Sequence, residues 1–114
     1  MKLVFTLLTA CLLSVFTLSS STNLDEVTSS FKVNGNCGMC KKKIETSLRV
    51  KGVKKVNWDM KSHELSITYS PDKITLDEIH LRIAAVGYDT DKVKASDEAY
   101  AKLDDCCKYD RVNN

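Results

Sequence analysis

The sequence predicts an α+β domain in which one antiparallel sheet carries two helices on one face, followed by a short helical tail. Three observations lead there. Apolar residues alternate with period two at Phe31/Val33, at Val56/Trp58/Met60 and at Leu65/Ile67/Tyr69, the spacing of half-buried strands. Two other stretches switch to helical spacing: Cys40/Ile44/Leu48 and Leu76/Ile79/Ile83/Val86. Turn residues punctuate these runs at Asn34-Gly35-Asn36, Gly52 and Gly87. With a last short strand over Tyr88–Val93, the order is strand, helix, strand, strand, helix, strand. This is the split βαβ, or ferredoxin-like βαββαβ, sandwich.

Each element has a local reason. Phe31 and Val33 form the first strand, which ends at the Asn34-Gly35-Asn36 turn. The first helix is expected over Gly38–Val50, with Gly52 as its stop. Lys61-Ser62-His63 lies between two alternating runs and makes them a hairpin. Thr75-Leu76-Asp77-Glu78 has the form of a capping box and opens the second helix, which Gly87 ends. Ser96–Leu103 reads as one more short helix before the closing Cys106-Cys107-Lys108-Tyr109.

The N-terminus is read separately. Met1-Lys2 precedes an uncharged, mostly apolar run from Leu3 to Leu18, then Ser19, Ser20 and Ser21. That is the layout of a cleaved secretory signal, and the run is short of the ~20 apolar residues of a membrane span. Leu8-Thr9-Ala10-Cys11 also fits a lipoprotein cleavage box with Cys11 as the lipidated residue. The expected division is a signal over 1–21, a flexible polar lead-in over 22–30, the domain over 31–94 and a cysteine-bearing tail over 95–114. The protein is expected to be exported to the periplasm or cell envelope and to be a monomer.

Composition removes several classes of function. Apolar residues at 43% and charged residues at 28% are ordinary for a globular chain. A net charge of +2 gives no electrostatic footprint of a nucleic-acid binder. One proline and four glycines leave no linker-dominated architecture. The lysines between Lys41 and Lys61 read as a solvated face, or as a steering patch for an acidic partner. No hydrolytic triad or phosphate loop is visible. His63 and His80 lack spaced partners and read as solvated surface residues; Trp58 reads as core or half-buried surface.

The chemistry lies in Cys37-Gly38-Met39-Cys40, between the first strand and the first helix. Thiolates are soft ligands that select Cu(I), Zn(II), Hg(II) or Cd(II) over hard ions. A helix N-terminus favours thiolate over thiol, and Lys41, Lys42 and Lys43 add positive charge nearby. A single CxxC also fits a redox dithiol, which makes a thiol–disulfide oxidoreductase the alternative. Against it stand Asn36 where such enzymes place Trp, and Pro71, the sole proline, lying in a turn before a helix. Cys106 and Cys107 add metal ligands, or form a disulfide with each other, with the loop or between subunits.

The stretch Val33-Asn34-Gly35-Asn36-Cys37-Gly38-Met39-Cys40, with Ile44, Leu48, Gly52-Val53, Val56 and Ala84-Ala85-Val86-Gly87-Tyr88-Asp89, resembles the heavy-metal-associated domain family. The resemblance covers about Phe31 to Val93. It implies that Cys37 and Cys40 together bind one soft ion and that a partner's cysteines displace them. It implies Cu(I) before Hg(II), and as partner a metal-transporting membrane protein or another metal-binding domain. It also makes Tyr88 the aromatic that supports the loop. The family usually has Gly-Met-Thr before the first cysteine, with that Met packed beneath the loop; here Asn34-Gly35-Asn36 stands instead. Met39 either takes over the packing or stays exposed as a soft third ligand.

Overall fold

A computed structural model describes residues 25–111. The expected signal, including Cys11, lies outside the described residues. Strands β1 (Val27–Lys32), β2 (Val53–Trp58) and β3 (Glu64–Tyr69) form one antiparallel sheet in the order β1-β3-β2. Helices α1 (Gly38–Ser47) and α2 (Leu76–Ala85) complete the sandwich, and α3 (Asp97–Ala101) with a 3-10 turn at Asp105–Cys107 forms the tail. On β3 the side chains of Leu65, Ile67 and Tyr69 enter the core, where Ile44, Leu48, Ile79 and Ile83 meet them from the helices. The other face of the sheet is polar. There Thr28 hydrogen-bonds Thr68 at 2.9 Å and Ser30 hydrogen-bonds Ser66 at 3.3 Å across the β1–β3 pair.

Three local expectations are corrected. The polar segment before Phe31 is not a flexible lead-in throughout: Val27 to Ser30 already pair with Tyr69 to Ser66. Alternation missed it because little of this stretch is buried, and backbone pairing alone carries the strand. Helix α1 stops at Ser47, short of Val50. The hydroxyl of Ser47 donates to the Ile44 carbonyl at 2.6 Å, and Gly52 serves the entry to β2 instead.

The third correction is the last strand. Tyr88–Val93 contributes one isolated bridge, Val33 to Thr90, beside β1. Thr90 turns the chain away. Its amide donates to the Val93 carbonyl at 2.8 Å, and its hydroxyl accepts from the amides of Lys92 and Val93. A side chain that offers the backbone such bonds competes with a sheet ladder. The fold remains the ferredoxin-like sandwich with its edge strand reduced to a bridge.

The ends of α2 follow the sequence. The Thr75 hydroxyl accepts from the Glu78 amide at 3.2 Å. At the other end the Gly87 amide donates to the Ala84 carbonyl at 3.0 Å and the Tyr88 amide to the Ile83 carbonyl at 3.3 Å. This paired pattern needs a left-handed residue, which Gly87 supplies at φ +104°. A Cβ on Gly87 would also meet the Ala99 carbonyl at 2.8 Å, so this glycine lets the tail dock closely. Among the described residues, no helix is long and apolar enough to cross a membrane.

Candidate metal centre

The chain leaves β1 through Val33, crosses the Asn34-Gly35-Asn36 turn and enters α1 with Cys37 at the N-cap. Cys40, one turn into the helix, is fully buried, whereas Cys37 is half-buried. Their sulfurs lie 3.7 Å apart. The Asn36 amide donates to Cys40 Sγ at 3.4 Å. The amide of Cys40 holds the Cys37 thiol down to about 7; burial opposes this, while the Met39 amide and the Cys40 and Cys106 thiols assist. The helix N-terminus therefore favours thiolate here, as the sequence predicts.

The neighbouring lysines do something else. Lys41 donates to Glu45 on its own helix at 2.7 Å and reaches β2 at Asn57, 2.8 Å, and at the Trp58 carbonyl, 2.8 Å. Lys43 pairs with Asp104 of the tail at 3.0 Å. These two side chains tie α1 to its surroundings.

What lies under the loop is Trp58, which the alternation placed in the core or at its edge. It is fully buried, and its indole N–H donates to the Val33 carbonyl at 3.0 Å. A Cβ on Gly35 would stand 2.9 Å from two atoms of its six-membered ring and 3.3 Å from Cys40 Cβ. Gly35 is thus the residue that lets a tryptophan fill this space. Met39 does not take the packing role: it is 45% exposed. His63 is not simply solvated either, since it is half-buried and stacks on Trp58 at 5.7 Å. His80 is corrected outright. It is 1% exposed, stacks on Phe31 at 4.0 Å and bonds Thr90 Oγ1 at 2.6 Å. Its ring fills the core on α2, and Thr90 and Asp91 are its polar partners.

The tail brings the largest addition. The sulfurs of Cys37, Cys40 and Cys107 all lie within 4.8 Å of one another. Cys107 is fully buried, and burial first of all pushes its thiol up to about 12. Cys106 points the other way, exposed, with its sulfur 3.9 Å from that of Cys107 and 3.8 Å from Met39 Sδ. The adjacent pair is therefore divided between the interior and the surface. Tyr88 is fully buried behind the loop. Its hydroxyl completes no hydrogen bond, yet after burial the nearby Cys107 and Cys40 thiols are what push its pKa upward.

Sequence reasoning missed what holds the tail in place. The Tyr109 hydroxyl donates to the Gly87 carbonyl at 2.8 Å and accepts from the Asp89 amide at 2.8 Å. Arg111 grips Asp89 with two nitrogens, at 2.8 and 3.0 Å, reaches Asp97 at 2.8 Å and lies over the Tyr100 ring. The Tyr100 hydroxyl donates to the Tyr109 carbonyl at 2.6 Å. The polar character of Asp110-Arg111 hid this clamp, and Tyr109 after the cysteine pair was its one visible sign.

The family model described as "Heavy-metal-associated domain" matches residues 30–89. A zinc-transporting ATPase of Synechocystis is 39% identical over 71 residues, which are 60% of this chain and 10% of that one. The chain thus spans a tenth of the length of that curated relative. A solved CopZ metallochaperone superposes with a TM-score of 0.54 at 26% identity, over 56% of this chain and 98% of that one. Oxidized MerP of Ralstonia metallidurans, at 22% identity, shares the fold with a TM-score of 0.55, over 58% of this chain and 94% of that one.

Proposed function

This chain belongs to the heavy-metal-associated domain family, and from that premise we propose that it is an exported carrier or scavenger of one soft metal ion. Cys37 and Cys40 bind the ion, and Cu(I) is the favoured cargo. The observation that carries the reading is the pair of sulfurs 3.7 Å apart at the start of α1, one buried and one half-buried. Soft thiolates suit Cu(I), and a half-open sulfur suits exchange with another protein. The reading has no catalytic step. Its partner is a metal-transporting membrane protein or another metal-binding domain. Export to the periplasm or cell envelope rests on the signal-like run Leu3–Leu18.

A second ion, Zn(II), is favoured by the 39% identity to a zinc-transporting ATPase. Zinc prefers four ligands in a tetrahedron, and the loop supplies two.

The test is anaerobic titration of the reduced protein with Cu(I), and separately with Zn(II), against a competing chelator. One Cu(I) per chain, lost in Cys37→Ser/Cys40→Ser, is the expected result. Competitive uptake of Zn(II) alone would move the assignment to zinc. Reduction of insulin disulfides without retention of either ion would move it to the oxidoreductase.

A further inference from the structure

We propose that Cys107 is a third thiolate ligand to the ion held by Cys37 and Cys40, so that the chain closes its own metal site with its C-terminal segment. This rests on the loop being a soft-metal site and adds to it a coordination number and a gate. Three sulfurs each ~2.3 Å from one ion, in a plane, stand about 4 Å apart. Those of Cys37, Cys40 and Cys107 lie within 4.8 Å of one another. Small side-chain movements complete the triangle.

Two further observations point the same way. The first is Tyr88. Its buried hydroxyl has no hydrogen-bond partner, and the sulfurs of Cys40 and Cys107 are its neighbours. A buried O–H without an acceptor is costly. Metal-bound thiolates at Cys40 and Cys107 would offer this hydroxyl a strong acceptor where it now has none. The second is the anchorage of the tail. Tyr109 is bonded to Gly87 and Asp89 through its hydroxyl, two residues after Cys107. Arg111 closes on Asp89 and Asp97 beyond it. These bonds fix the backbone that presents Cys107 beside the other two sulfurs.

Binding moves no electrons: each ligand thiol gives its proton to solvent and a metal–sulfur bond forms. The arrangement decides how the ion leaves. An ion held by two thiolates has an open position for an incoming thiolate. Here Cys107 occupies that position, and an acceptor must displace it first. Cys106 and Met39, whose sulfurs are 3.8 Å apart at the surface, flank the exit.

The experiment is X-ray absorption at the copper edge on the reduced protein carrying one Cu(I), which counts sulfur neighbours. Wild type and Cys106→Ser are expected to show three. Cys107→Ser is expected to keep one Cu(I) with two sulfurs, and to lose at least about tenfold in affinity. Two sulfurs around copper in the wild type overturn the proposal, whether or not Cys107→Ser folds. Three sulfurs in Cys107→Ser overturn it as well. A wild type that takes up no Cu(I) overturns the copper assignment beneath it, so the two failures are distinct.

Discussion

Replacing Gly35 by alanine adds one methyl group where the structure has no room for it. The new Cβ would stand 2.9 Å from two ring atoms of Trp58 and 3.3 Å from Cys40 Cβ. Trp58 cannot retreat easily: it is fully buried, bonded to the Val33 carbonyl at 3.0 Å and covered by His63. Overpacking of this kind costs about 1–3 kcal/mol, a large share of a stability of about 5–15 kcal/mol for a domain. With a urea slope of about 1–3 kcal/mol per molar, the unfolding midpoint of the reduced, metal-free protein should fall by roughly 1 M. The pairing is tested by Trp58→Phe. Alone it removes the indole N–H bond and part of the ring, costing about 3 kcal/mol. Combined with Gly35→Ala, the smaller ring leaves space for the methyl group, so the double variant should lose at least about 1 kcal/mol less than the sum. A midpoint unchanged by Gly35→Ala, or strict additivity, would refute the placement of Trp58 beneath the loop.

Three further outcomes follow from the charged and titratable groups. Burial pushes the Asp89 carboxyl up, but the Arg111 guanidinium and the Ala95 amide outweigh it and hold the pKa low. A depressed carboxylate stabilises above its unfolded pKa of about 3.9 and loses this as pH falls through the folded value. Amide exchange at Tyr109 should stay protected down to about pH 4 and open below it, and Asp89→Asn should remove that acid dependence. Burial lowers the His80 pKa against the pull of Asp91. Protonation is thus easier in the unfolded chain, so stability should decline as pH drops below about 6.5; denaturant melts of His80→Phe should lack that decline. With its thiol near 7, Cys37 should be alkylated first, with a midpoint near pH 7, and Cys107 far more slowly, its thiol lying near 12. Mass mapping that finds Cys107 modified before Cys37 would contradict the assignment.

The core pattern and the ends of α2 were legible because each has a short-range signature. Ile44/Leu48, Leu65/Ile67/Tyr69 and the Thr75–Glu78 cap depend on neighbours within a turn or a pleat. The cysteine loop was legible for the same reason. Four things were not. Val27–Ser30 forms a strand held by pairing across 36 to 42 positions, with side chains that bury little. Thr90 replaces a sheet edge with its own turn, which composition does not announce. Cys107 meets Cys37 and Cys40 only because Tyr109 and Arg111 fold the tail back onto Gly87 and Asp89, contacts far apart in sequence. His80 was misread because its partners, Thr90 and Asp91, lie ten and eleven positions away in the sequence.

The most direct test of the central claim is native mass spectrometry of the reduced protein after anaerobic addition of Cu(I). The account predicts a mass shift of one copper ion per chain in the wild type, persistence of that shift in Cys106→Ser, and its loss in Cys37→Ser/Cys40→Ser. Copper retained undiminished by the Cys37→Ser/Cys40→Ser protein would contradict the assignment of the loop as the metal site.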